Sequence, residues 1–241
     1  LQWRFFFFFT IPMLQTSLKT ILYIDGFNLY YGAVKGTPHK WLDVVKLFSS
    51  ICHEQNPSIE IVAVKYFTAP VKGSIATHGE QAVQSQNAYL KALRTLYPNL
   101  IEVIEGYFVL EEAGLPRYQK PLVKTDRLQV WKLEEKKTDV HLAIQMYRDA
   151  CHGVEHQVLV SNDSDLVPAL EAIRADYPRL TIGVVMPRLK RTGSDIRPTN
   201  TELDNLAHWT RHHIHENELA AAQLPNLIPT KKKPIYKPTY W

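Results

Sequence analysis

A chain of 241 residues with 45% hydrophobic and 22% charged side chains is long enough for one well-filled core and too apolar for wholesale disorder. Its two cysteines, Cys52 and Cys151, lie far apart and form no C-x-x-C pair, which argues against a disulfide framework or a zinc knuckle and fits a reducing cytoplasm. The net charge of +4 is uneven: residues 179–198 and 224–241 each carry +4, so the remainder sums to −4, an acidic body with two basic patches of the kind that suits a polyanion.

The chain opens with five consecutive phenylalanines, Phe5 to Phe9, followed by Thr10, Ile11, Pro12 and Met13. This stretch is too short to span a bilayer, and no small-x-small cleavage site follows it. Residues 1–19 are therefore expected to be an N-terminal extension, disordered or not native, whose part before Met13 lies upstream of the true start, and expression from Met13 is expected to preserve activity. From residue 20 to 223 short apolar runs alternate with helical periodicity, which predicts an α/β domain whose mostly parallel sheet is wrapped by helices. The expected strands are Ile21 to Asp25, Glu60 to Phe67, Ile101 to Tyr107, Gln157 to Ser161 and Leu180 to Val185. The expected helices are Trp41 to Cys52, Glu80 to Leu96, Asp139 to Cys151 and Leu166 to Tyr177. In the third of these helices Val140, Ala143, Ile144 and Tyr147 share a face expected to be buried, with Gln145, Arg148 and Asp149 outward. Residues 111–132, with Gly114, Pro116 and Pro121, predict a loop or hairpin grafted between a strand and the next helix. A short helix after Thr201, an edge strand from Trp209 to His215 and an Ala-rich helix from Glu216 to Gln223 complete the domain. The Pro- and Lys-rich residues 224–241 are expected to form a mobile basic tail.

Acids sit at the ends of two apolar runs. Asp25 closes Ile21-Leu22-Tyr23-Ile24, with Gly26 permitting a tight turn and Asn28 able to bond a carboxylate, a water or a phosphate, or to cap a helix. Asp163 and Asp165 follow Val158-Leu159-Val160 in the segment Ser161-Asn162-Asp163-Ser164-Asp165, where one acid suffices for a helix cap. Asp139 opens a helix directly after Lys137 and Thr138, a position that the helix dipole alone would favour. Acids placed just after parallel strands lie where open sheets bind ligands, and several carboxylates in one crevice call for a hard cation such as Mg²⁺. A phosphatase of the haloacid dehalogenase type would need a second acid where Phe27 stands. No glycine-rich nucleotide motif follows any expected strand. His208, His212, His213 and His215 fit an exposed edge better than a zinc site.

Three segments together resemble the NYN domains, the LabA-like branch of the PIN-like nucleases. They are Tyr-Ile-Asp-Gly-Phe-Asn-Leu-Tyr at 23–30, Glu-Glu-Lys-Lys-Thr-Asp-Val at 134–140 and Ser-Asn-Asp-Ser-Asp-Leu at 161–166, and the likeness spans about Lys19 to His215. The resemblance implies a Rossmann-like α/β/α sandwich that binds Mg²⁺ or Mn²⁺ and cleaves RNA, with Asp25, Asp139, Asp163 and Asp165 as its acids and Asn28 as its asparagine. The chain has Asn162 where the family often has glycine. Asp25 and Asp163 are expected to ligate the ion directly, and Asp139 and Asp165 to complete the shell through water or to hold a second ion. Asn28, Lys137, Ser161, Asn162, Arg188, Lys190 and Arg191 are the candidate contacts to the RNA strand. The expected protein is a cytoplasmic ribonuclease with no membrane partner, a homo-oligomer being left open. The alternative is a non-catalytic RNA- or protein-binding module that retains the fold.

Overall fold

A computed structural model describes residues 17–190 and 199–241. The expected N-terminal extension, and Arg191 of the candidate substrate contacts, lie outside or almost wholly outside the described residues. The strand β1 (Leu18–Asp25) leads through a helical turn, α1 (Gly26–Leu29), to the helix α2 (Val44–Gln55). Then come β2 (Ile59–Thr68), α3 (Gly79–Leu96) and β3 (Ile101–Glu105). A hairpin of β4 (Tyr107–Pro116) and β5 (Arg127–Lys136) precedes α4 (Thr138–Cys151). The rest is β6 (His156–Val160), α5 (Val167–Asp176), β7 (Thr181–Val185), α6 (Thr201–Leu206), β8 (Trp209–Arg211), α7 (Glu216–Ala221) and the short strands β9 (Leu227–Ile228) and β10 (Ile235–Tyr236).

The central sheet has six parallel strands in the order β3-β2-β1-β6-β7-β8. Chain order runs outward from β1 in one direction and then jumps to β6 and runs outward in the other, so the space beyond the ends of β1 and β6 is a topological switch point. Alternation along β1 explains the two cores: Leu22 and Ile24 pack with α2 and α3 on one face, while Ile21 and Tyr23 pack with α4, α5 and α6 on the other. Among the described residues no helix is long and apolar enough to cross a membrane.

Four local expectations change. The strand expected to run to Tyr107 is broken at Gly106, where an added Cβ would lie 2.5 Å from the Lys136 carbonyl and 2.4 Å from the Thr138 hydroxyl. Only glycine allows β3 and the start of α4 to approach so closely. On α4 the buried stripe is Leu142, Met146 and Ala150; of the expected face Ala143 and Tyr147 are partly buried, but Val140 and Ile144 are 62% and 51% exposed, and Gln145 and Asp149, expected outward, turn partly inward. The cause is Lys65 in β2, a cation beneath the helix that needs Asp149: the two lie 2.6 Å apart, Gln145 also accepts from Lys65 at 2.9 Å, and Tyr23 donates to Asp149 at 2.6 Å. The edge strand stops at Arg211. Finally, the expected mobile tail is packed: Leu224, Ile228 and Ile235 are buried, β9 pairs with β10, and Trp241 meets Trp41 and Tyr89 at ring separations of 6.2 and 5.7 Å. The prolines and lysines dominate the tail's composition, but its few apolar side chains are spaced to reach the core.

Candidate metal centre

Asp25 leaves β1 and caps α1, its Oδ1 accepting from the backbone N–H of Phe27 at 3.1 Å and of Asn28 at 2.9 Å. Its Oδ2 accepts from the Ser161 hydroxyl at 2.9 Å, which joins the end of β1 to the end of β6. The residue is only 3% exposed, and burial pushes its carboxyl above the usual range despite these donors. Gly26 must follow it, because a Cβ there would meet the Phe67 carbonyl at 2.6 Å and the Tyr66 ring at 2.9 Å.

Ser161 in turn accepts from the Asp163 N–H at 3.1 Å, and Asp163 accepts from the Asp165 N–H at 3.0 Å, capping the short 3-10 turn Ser164–Leu166. Asn28 accepts from the Asn162 N–H at 3.3 Å, and Asn162 accepts from the Asn200 N–H at 3.0 Å. The two asparagines thus lace three loops together, a role for Asn28 beyond the capping that Asp25 already provides. Asp139 arrives from the first turn of α4, entered through Lys137 in the left-handed region at φ 78°. A non-glycine residue held there marks a backbone fixed by its surroundings.

Asp25, Asp139 and Asp163 each present a carboxylate oxygen, and these atoms lie within 4.8 Å of one another. That span suits oxygens disposed about a single hard cation, whose ligands sit at about 2.0–2.6 Å and so lie about 4–5 Å apart across it. The donor set, three carboxylates and no sulfur or imidazole, fits a hard divalent ion. Burial raises Asp139 to about 6, with Asp25, Asp163 and Asp165 adding repulsion. Asp165 belongs to the rim: it is exposed and stands outside the group of three.

Glu135 is the acid that the sequence reading missed. Burial pushes it to about 7, and the charges of Asp139, Asp25 and Asp163 act in the same direction. Strand alternation separates it from Glu134, which pairs with Lys132 and Lys136 on the opposite side of β5. The available signal was that alternation: Glu134 has lysines two residues away on both sides, and Glu135 has one on a single side, Lys137, which rests over Tyr107 instead.

The proposed substrate contacts are less gathered. Lys137 rests over the Tyr107 ring at 5.1 Å. Arg188 donates to the Thr199 hydroxyl at 2.8 Å, beside the Asn200 that bonds Asn162, so it reaches the rim through one loop. Lys190 is exposed near His213. Of the four histidines, His212 pairs with Asp204 at 2.9 Å and His208 accepts from the Ile182 N–H at 2.9 Å.

Crowded acids with raised pKa values make the metal-free fold least comfortable when they ionise. A folded carboxyl that holds its proton more tightly than the unfolded chain does gives stability that is fully present below about pH 4 and is lost as pH rises through its folded value, here about 6 for Asp139 and about 7 for Glu135. The gap in melting temperature between Mg²⁺-saturated and EDTA-treated protein is therefore expected to widen from pH 5 to pH 8, by about 2–4 °C for each kcal/mol left after solvent screening of these half-exposed groups. Equal gaps at both pH values in differential scanning fluorimetry would contradict the clustering.

A cavity of about 350 Å³ opens on the other side of Gly26 and Phe27. Aromatic side chains and lysines line it, and among the described residues no acid does.

The chain is similar to known proteins. A protein of Pseudomonas putida (strain DSM 28022 / S16), 6-hydroxy-3-succinoylpyridine 3-monooxygenase HspA, is 43% identical over 242 residues, spanning 93% of this chain and 75% of the relative. The crystal structure of a protein of unknown function from Vibrio parahaemolyticus RIMD 2210633 aligns with a TM-score of 0.48 at 18% identity, over 84% of this chain and 96% of that one. The NYN domain family model matches residues 19–197, a stretch that holds all three clustered acids and both asparagines. With its parallel sheet and its acids at the switch point, the chain belongs to the NYN domain family, within the PIN-like superfamily.

Proposed function

We propose that this protein is a Mg²⁺- or Mn²⁺-dependent hydrolase of RNA phosphodiester bonds, acting in the cytoplasm. The observation that carries the reading is the meeting of Asp25, Asp139 and Asp163 from three separate elements within 4.8 Å. A divalent cation held by these three carboxylates would lower the pKa of a water and offset charge on the phosphate. The chain's own part is to hold the ligands still: Asp25 is fixed by two N–H groups and the Ser161 hydroxyl, and Asp163 by the turn that it caps. Glu135 adds a carboxyl that exchanges protons near neutrality at the rim. Arg188, Lys190 and Lys137 are the candidate contacts for the flanking phosphates, with Asn28, Ser161 and Asn162 as candidate contacts nearer the acids.

A second reading comes from the relative named as a monooxygenase of 6-hydroxy-3-succinoylpyridine, and the aromatic cavity beside the acids favours it. In that case the cavity presents a small ring to the acid centre. One pair of assays on purified protein decides between the two. Labelled single-stranded and structured RNAs are incubated with Mg²⁺, Mn²⁺ or EDTA. In parallel, 6-hydroxy-3-succinoylpyridine is incubated under ¹⁸O₂ with a nicotinamide reductant. Metal-dependent cleavage leaving 5′-phosphate ends, without ¹⁸O in the pyridine product, is the expected result. Incorporation of one ¹⁸O with intact RNA would replace the hydrolytic reading, and RNA retention without turnover would leave a binding module.

A further inference from the structure

The cavity next to the acid centre has three properties that belong together. Its walls are aromatic: Phe27 and Tyr30 of one helical segment, Tyr66, Phe108 and Trp241 come from four separate parts of the chain. Its charge is uniformly positive, from Lys35, Lys40 and Lys72, none of which has a carboxylate partner among the described residues. Lys40 instead lies 5.7 Å from the Tyr240 ring and Lys35 lies 4.7 Å from that of Tyr31. Its floor also holds a waiting polar atom. Tyr66 is 7% exposed and packs beside Gly26, yet its hydroxyl makes no hydrogen bond among the described residues. The hydroxyl is not sealed from solvent, so water or a ligand in the cavity can supply its partner.

We propose that this cavity is a binding pocket for a planar aromatic ring that carries an anionic group, seated beside Asp25. The ring stacks among the aromatic walls, Tyr66 donates to a ring heteroatom or exocyclic oxygen, and Lys40 and Lys72 receive the anion. The amino end of α3, an 18-residue helix, reaches the same wall through Thr77 and His78, where no side chain caps it, and adds positive potential. The volume of about 350 Å³ sits at the small end of the range for ligand pockets, enough for one ring and a short arm. The C-terminal residues serve as a wall: Tyr240 donates to the Gln81 carbonyl at 3.0 Å and meets His78 at a ring separation of 4.6 Å. Both Gly26 and Tyr66 border the pocket and touch the Asp25 turn, so a ring bound here lies against the acid centre.

A nucleotide of a single-stranded RNA and a free aromatic acid share this chemistry. The proposal adds a ligand class to the reading above and does not require any cation to be bound. Isothermal titration calorimetry is therefore run in EDTA on the full chain with adenosine 5′-monophosphate, pyridine-3-carboxylate and their uncharged counterparts adenosine and nicotinamide. At least one anion is expected to bind saturably, with its neutral counterpart weaker by about tenfold. Tighter binding of the nucleotide identifies a nucleic-acid pocket, and tighter binding of the pyridine acid identifies a small-molecule one. The Lys40→Ala/Lys72→Ala protein is expected to lose the preference for the anion. Tyr66→Phe, which removes a single oxygen, is expected to weaken both anions about threefold to tenfold while circular dichroism stays unchanged. The proposal is overturned if neither anion saturates below about 5 mM, if the neutral compounds bind equally well, or if the lysine substitutions change nothing. Failure here leaves the acid centre's hydrolytic reading untouched, and loss of RNA cleavage leaves these titrations unaffected.

Discussion

Asp163→Asn is expected to lower metal-dependent RNA cleavage by more than about a hundredfold, the loss that removing even an outer partner of a metal ligand can bring. The same substitution is expected to raise the melting temperature in EDTA. The carboxamide oxygen can still accept from the Asp165 N–H, now at 3.0 Å, so the turn survives. What disappears is one negative charge beside Asp25 and Asp139, both of whose carboxyls are raised in part by Asp163. Activity and metal-free stability should therefore move in opposite directions, which a merely unfolded variant cannot do. Asp25→Asn should abolish cleavage as well. It tests the fold more severely, because that side chain accepts three hydrogen bonds and one of its oxygens would become an amide facing the Ser161 hydroxyl. Undiminished cleavage by Asp163→Asn would remove this residue from the metal centre.

The second large effect lies under α4. Lys65→Met is expected to cost about 3–5 kcal/mol, because it leaves the carboxylate of Asp149 under the helix without its cation. The Lys65 and Asp149 side chains are 11% and 14% exposed and lie 2.6 Å apart, so water replaces little of what is lost. Tyr23 would remain the donor to Asp149 among the described residues, and its hydroxyl holds its proton firmly, since burial and the bond to Asp149 both raise its pKa. The double variant Lys65→Met/Asp149→Leu removes both charges and is expected to recover most of the loss, as paired buried ions often can be exchanged for apolar side chains. Urea titrations of the two variants measure this. A double variant as unstable as the single one would mean that the pair is valued for packing and not for charge balance.

How much of this was legible in the sequence depended on whether the deciding partner was near in the chain. β1 and β6 were visible because strands buried on both faces are unbroken apolar runs, and the acids that close them had to emerge at one edge. The grouping of Asp25 with Asp163 followed from that alone. Asp163 was favoured over Asp165 as a direct ligand, and the 3-10 turn does leave Asp165 exposed, but Asp139, expected to act through water or to hold a second ion, presents its oxygen within the group of three. The face of α4 was misread because Val140, Ala143, Ile144 and Tyr147 make as good a stripe as Leu142, Met146 and Ala150. The arbiter was Lys65, 84 residues from its partner Asp149. The tail was misjudged for the same reason, since Ile228, Ile235 and Trp241 are too sparse to show a period and find their contacts far back in the chain. Glu135 escaped notice because attention fell on strand ends, and it sits one rung inside a hairpin.

Among the described residues that hairpin pairs only with itself, from Tyr107 opposite Lys136 at its root to Pro116 opposite Arg127 at its tip. Its root is anchored: Phe108, whose rung partner is Glu135, packs edge-on against Phe27 at 5.3 Å. Its far half has no such anchor, with Trp131 67% and Tyr118 89% exposed. Amide protons should therefore exchange along this ribbon in a gradient, fastest at the outer rungs and slowest where Glu135 stands, because local opening begins where nothing but the partner strand restrains the backbone. The segment between Pro116 and Arg127 is consequently the natural place to insert a fluorophore or epitope while leaving the carboxylates undisturbed.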